Sequence, residues 1–384
     1  MNRGPVSPRR RKGIAKVFLT ADYELFGNGT GCIHQCLLNP AERMMATAEE
    51  SSARVTFFVD VLEVMAFEKA EQAGHYIGVK DAAERIRNQL TDTVRRGHDV
   101  QLHLHPQWID ARWVPGFGWE LNMDYWRIGG LATHIGQDRL ESVVAGGVDW
   151  LESLLKPFDP AYRCRSFRAG AWSIQPEADV LSALRRSGIV IDTTVAPGCF
   201  ARGQHTWFDF RDAPEARWRG WRIAESVTEV DDMGKMYELP IYTAPIPIRT
   251  RLRKRRTPPV PSWPPGCEGR TVEASIPARG GRIAKAWARG RSALARRPIQ
   301  FDFCSLAECE LDWMLGTVRK YPLERHHMTP IVAISHPKAF SAPKRLKHLL
   351  ARIEQMPDIS VDRVDHPSLW RSEEVRDIEG ALEI

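Results

Sequence analysis

An α/β fold on a mostly parallel sheet, doubly wound or closed into a barrel, is what this 384-residue sequence predicts. Three observations point there. Short runs rich in β-formers alternate with amphipathic stretches of helical length. With 43% hydrophobic residues, 27% charged residues and 13 Trp, the chain is too apolar and aromatic to be disordered. No run of 18 or more apolar residues occurs, which excludes a membrane-spanning helix.

Each element has a local reason. Ile14 to Thr20 and Arg54 to Val59 are short β-forming runs, with helical character from Pro40 to Ser51 between them. Lys80 to Arg96 sets Ala82, Ile86, Leu90 and Val94 four residues apart, and Gly97 stands as a stop. Asp99 to Leu104 then reads as a strand. The alternation continues with a helix near 137–156, a strand near 163–168, a helix near 176–187 and a strand at Ile189 to Ile191. A helix near 306–320, a strand at Pro330 to Ser335 and a helix near 343–355 complete it. Glu238 to Tyr242 suits a further barrel strand, and Asp192 to Gly198 suits the lining of a groove.

The net charge of +6 is unevenly spread. Residues 1–16 hold six basic residues and no acid, and residues 249–297 hold fourteen Lys or Arg against Glu268 and Glu273, so the rest of the chain carries −12. The basic stretch from Arg249 to Arg256 runs into Pro258, Pro259, Pro261, Pro264 and Pro265, a composition for a long loop or insert. Within it, Ile283, Trp287 and Leu294 share one helical face flanked by Lys285 and Arg289. That pattern suits a basic amphipathic helix on an anionic surface, and equally a solvated loop. Nucleic acid is disfavoured as a partner, because the tracts match no nucleic-acid-binding motif. The first residues lack the apolar core and cleavage site of a signal peptide, so a cytoplasmic location is expected. Seven Cys is an odd count for a disulfide framework, and Cys32, Cys36, Cys304 and Cys309 are expected to be free thiols. His326 and His327 read as a loop pair.

Chemistry-bearing residues collect at the C-terminal ends of the expected strands, where α/β barrels keep their active sites. Asp22 and Glu24 stand two apart on an extended segment and point to one side. The same spacing aligns His103 and His105 before Pro106. Two histidines with one or two carboxylates suit a divalent-metal site with an open position for water. Alone, the carboxylate pair is more often a solvated strand end and the histidine pair an even match with structural histidines; their joint occurrence at two strand ends favours the metal. Arg168 could hold a strand-end carboxylate ionised, and His336 is a third strand-end histidine, separate from the pair and able to act as a general acid. Trp108 and Trp172 follow two of these motifs and suit an apolar wall for a sugar ring.

In order, Leu19-Thr-Ala-Asp-Tyr-Glu24, Val55 to Val59, Gly97 to Pro106, Phe167-Arg-Ala-Gly170 and Ile334-Ser-His-Pro-Lys338 resemble the NodB-type polysaccharide deacetylases, carbohydrate esterase family 4, in a divergent branch. The resemblance implies a distorted (β/α) barrel with fewer than eight strands over residues 14–345, interrupted by the 249–297 insert. A basic tail at 1–13 would precede it, and a C-terminal helix and tail at 346–384 would follow. It implies a divalent metal, zinc before cobalt or manganese, and removal of an N-acyl group from an amino sugar. By position, Asp22 matches the family's base, Glu24 a carboxylate ligand, His103 the first metal histidine, Arg168 the arginine that holds the base and His336 the acid. This chain departs in having its carboxylates two apart and its second histidine at His105. Whether Asp22 or Glu24 ligates the metal, and whether His105 does, stay open at the level of sequence.

The implied function is a metal-dependent N-deacetylase of polysaccharide or lipopolysaccharide biosynthesis. Its substrate would be a nucleotide-linked or lipid-linked amino-sugar glycan, and residues 249–297 would touch an anionic membrane at its inner face. An amidohydrolase for a small non-sugar amide and a catalytically inactive carbohydrate-binding barrel are the alternatives.

Overall fold

The computed structural model describes residues 14–214, 220–254, 263–264, 266–267, 298–319 and 328–364. The basic tail, the expected helix around 282–294, His326, His327 and the chain after 364 lie outside them.

Seven parallel strands build the core: β1 (Ile14–Tyr23), β2 (Thr56–Asp60), β3 (Asp99–Leu104), β4 (Ser166–Ala169), β5 (Ile191–Asp192), β6 (Met236–Glu238) and β7 (Met328–Ser335). They pair in the order β6-β5-β4-β3-β2-β1-β7. The sheet curls until its edges meet. Just past β6, Ile241 forms a parallel bridge with Val332 of β7, and the Tyr242 N–H donates to the Val332 carbonyl at 2.9 Å. Higher up, Phe301 to Phe303 wedge between Tyr242 and Ile334. The result is a distorted (β/α) barrel of seven strands.

Helices α1 (Asn39–Glu49), α2 (Val61–Gln72), α3 (Ala82–Arg95), α4 (Gln137–Leu155), α5 (Ala178–Arg186), α6 (Glu308–Val318) and α7 (Lys344–Glu354) connect the strands. In α3 the apolar spacing puts Ala82, Ile86 and Leu90 in the core and leaves the charged residues outside. Sequence periodicity does not mark α2. It starts on the residue after β2 with no turn residue between, and its core face carries the buried Glu63, so the polar–apolar pattern is blurred. An additional strand, β8 (Ile359–Asp362), pairs with β1 from Ala15 to Phe18. The expected boundary at 345 therefore falls inside α7, and the chain to 362 belongs to the barrel.

One cysteine expectation is corrected. Cys36 is disulfide-bonded to Cys267, across 231 residues, whereas Cys32, Cys304 and Cys309 are free. Cys267 lies inside the basic insert, a partner that only the fold brings to Cys36. The bond ties the insert to the segment leading into α1, and Trp263 beside it packs edge-on against Phe26 at 4.9 Å.

The entry to β3 is held by His98. Its Nδ1 accepts the Val55 N–H at 3.0 Å, so the ring proton sits on Nε2, 3.1 Å from Glu49 Oε1. A second proton would break the Val55 bond in a buried site. Burial pushes the His98 pKa down to about 4, against a smaller upward pull from Glu49. The folded state disfavours the imidazolium, so the stabilisation is complete above about pH 6.5 and is lost as pH falls toward about 4. Denaturant unfolding should show wild type losing roughly 3 kcal/mol through this group across that interval, and His98→Gln should flatten the pH dependence by a similar amount. Equal slopes in the two proteins would contradict this account.

Candidate metal centre and active site

The site forms at the C-terminal mouth of the barrel. Arg168 of β4 is fully buried and reaches across the interior. Its Nη1 donates to Asp22 Oδ1 at 2.6 Å, Nη2 to Thr20 Oγ1 at 2.9 Å and Nε to the Thr193 carbonyl at 2.9 Å. The guanidinium stacks 4.3 Å from the Phe58 ring. Burial alone would raise Asp22, but Arg168, helped by His103 and His336, overrides it and holds the carboxyl below its usual range. Asp22 is thus a buried, ionised carboxylate with Oδ2 turned 3.6 Å from His336 Nε2.

Beside it, Glu24, His103 and His105 converge. Glu24 Oε2 lies 3.2 Å from His103 Nε2 and 2.6 Å from His105 Nε2. Together they are a buried group able to hold a metal ion, with one ligand atom each. Asp22 stands outside this trio. The donor chemistry fits. His103 Nδ1 is 2.8 Å from the Arg168 carbonyl, which can only accept, so the proton sits on Nδ1 and the Nε2 lone pair faces Glu24. His105 Nδ1 is 3.0 Å from Gln107 Nε2, while Gln107 Oε1 is buried with no hydrogen-bond partner. Gln107 Nε2 also donates to the Gly27 carbonyl at 3.0 Å, which fixes the amide, so His105 Nδ1 accepts and its ring proton sits on Nε2 facing Glu24, the proton a bound metal would displace. Gly170 gives the ring its room, since a Cβ there would lie 2.7 Å from His105 Nδ1.

Sequence reasoning quoted Lys338 but gave it no role. Its Nζ is 2.6 Å from Glu24 Oε1 and 2.5 Å from the Leu25 carbonyl. Burial would raise Glu24, but Lys338 first, then His105, hold it well below its usual range. Asp60 and Glu63 were also missed. Glu63 accepts the Leu25 N–H at 3.0 Å, and Asp60 Oδ1 accepts the His105 N–H at 3.2 Å, so the start of α2 brackets the backbone beside two of the three converging side chains. Burial pushes Asp60 up to about 7 and Glu63 well above its usual range. Asp192 and Glu238 form a second buried acid pair, both raised by burial. No spacing rule in one sequence distinguishes these acids from surface carboxylates.

A cavity of about 470 Å³ opens over the group. Asp22, Glu24, His103, His105, His336 and Lys338 line its floor; Phe26, Trp126, Trp172, Phe200 and Phe208 form its walls. Trp172 faces it, on a turn where Ala171 and Trp172 adopt φ of +51° and +54°. Trp108 does not reach it. That indole is buried against Phe67 and Trp119, because the single turn after Pro106 points it outward into the α2 layer. Asp192 to Val195 support Arg168 and its neighbours without lining the cavity, whereas Gly198 does line it.

No family model matches the chain, and no curated protein matches it in sequence. Among solved structures, the chain is similar to one described as a polysaccharide deacetylase from Mycobacterium smegmatis, at 14% identity and a TM-score of 0.43, covering 99% of this chain and 96% of that one. It is similar to a GH57-type branching enzyme from Pyrococcus horikoshii at 10% identity and a TM-score of 0.46, covering 94% and 71%. An allantoinase matches at 9% identity and a TM-score of 0.42, covering 97% and 95%. Likenesses at this level carry no argument about activity, which has to come from the residues of this chain.

Cobalt titration followed by its visible absorption should show one equivalent bound by wild type. His103→Ala and Glu24→Ala should lose it, whereas Asp22→Asn should keep it. Arg168→Met leaves a buried carboxylate unpaired and should destabilise the fold by about 3–5 kcal/mol in chemical denaturation. Metal loss in Asp22→Asn would place Asp22 among the ligands instead.

Proposed function

We propose that this protein is a metal-dependent hydrolase that removes an N-acyl group, acetyl in the first instance, from an amino sugar in glycan biosynthesis. The observation that carries the reading is the pairing of two differently held carboxylates at one barrel mouth. Glu24 faces two imidazoles, and Asp22 is kept ionised by Arg168 a few ångströms away with His336 opposite. A divalent cation held by Glu24, His103 and His105 would supply Lewis acidity and an acidified water with a pKa near about 7. Asp22 Oδ2 is placed to take the proton of the attacking water. His336 Nε2, 3.6 Å from that oxygen, is placed to receive the proton and deliver it to the departing nitrogen. The amine leaves neutral and the acid remains, so protons balance.

The cavity favours a sugar over a small amide. Its 470 Å³ exceeds the needs of a linear or cyclic amide, and aromatic walls suit the apolar faces of a pyranose. A nucleotide-linked or lipid-linked donor remains the expected form of the substrate, and zinc the expected metal, ahead of cobalt and manganese.

Metal-loaded protein should release acetate from at least one member of a panel of free, nucleotide-linked and lipid-linked N-acetyl amino sugars. Asp22→Asn and His336→Gln should each lower turnover about 10²–10⁴-fold while leaving metal content unchanged. Release from small amides alone would favour the amidohydrolase reading, and no release from any amide would favour a binding barrel.

A further inference from the structure

We propose that the exposed face of the short helix Ile248–Lys254 docks on an anionic lipid bilayer beside the pocket mouth. Ile248 and Leu252, four residues apart, are 56% and 53% exposed. Arg249 and Arg253, also four apart and also exposed, continue the same face. The opposite side is tied down: Thr250 is buried, its carbonyl is in contact with Cys309, and Lys254 pairs with Glu310 of α6 at 2.8 Å. The helix is therefore anchored to the barrel with an apolar pair and two guanidinium groups turned outward.

Its position links this face to the site. The helix follows Thr243–Pro245, which pairs with Pro298–Gln300, and Pro298 and Gln300 line the cavity. A bilayer matches both halves of the face, since apolar side chains enter the acyl boundary while arginines meet headgroup phosphates. A nucleic acid would use the arginines and leave Ile248 and Leu252 without a role. The basic sequence from 255 to 297 extends the charge in the same direction along the chain. This proposal concerns binding alone and stands or falls apart from the hydrolase reading.

The test uses the full chain and sedimented vesicles of phosphatidylcholine, pure or mixed with an equal part of phosphatidylglycerol. Wild type should bind the mixed vesicles, more weakly as salt rises, and leave the pure ones. Arg249→Gln/Arg253→Gln and Ile248→Ser/Leu252→Ser should each reduce binding about tenfold or more, with cobalt uptake unchanged as a check that the barrel is intact. Unchanged binding in both double variants would overturn the proposal and assign the contact to other basic segments, as would no binding by wild type. Loss in the arginine variant only, with duplex DNA bound equally well, would overturn it in favour of a polyanion site.

Discussion

The buried contact between Arg168 and Asp22 organises this protein. A guanidinium with no exposure is tolerable only when its donors are met, and Arg168 meets them with β1 through Asp22 and Thr20 and with the segment after β5 through Thr193. Its own carbonyl accepts from His103 on β3. One residue thereby fixes the relative heights of β1, β3, β4 and the segment after β5. It also presets a histidine tautomer and the ionisation of a carboxylate. Such a charge would be costly in an apolar barrel interior, and it explains why this interior is polar at the mouth.

Around that contact the acids divide by environment. Asp22 and Glu24 sit against cations and are held below their usual range. Asp60, Glu63, Asp192 and Glu238 are equally buried but face mainly backbone N–H groups and one another, and they are raised. Carboxyls of one kind therefore take two roles, charged groups facing the cavity and bracing groups behind it. Lys338 belongs to the first set: by holding Oε1 of Glu24 it leaves Oε2 to face the two imidazoles.

The insert is rooted on the same side of the barrel. Pro298, just past it, lines the cavity and pairs with Pro245 just before it, while Cys267 bonds to Cys36 and Trp263 packs on Phe26. Of the described insert residues, Trp263 thus packs on Phe26, a wall of the cavity whose floor carries the reactive groups.

The strand–helix alternation, the placement of Asp22, Glu24, His103, Arg168 and His336 at strand ends, and the charge asymmetry were all legible in the sequence. Each follows from local rules, namely periodicity, composition and the side to which alternate residues point. His105 beside Glu24 follows from the same period of two, whereas Trp108, one turn further on, does not, because a short helical turn breaks that period. Tertiary structure alone decided that Glu24 rather than Asp22 faces the imidazoles, that Cys36 meets Cys267, and that Lys338, Asp60 and Glu63 belong to the site. Those facts depend on which distant segments the closing barrel brings within hydrogen-bonding reach, and no spacing along one chain encodes a distance across it.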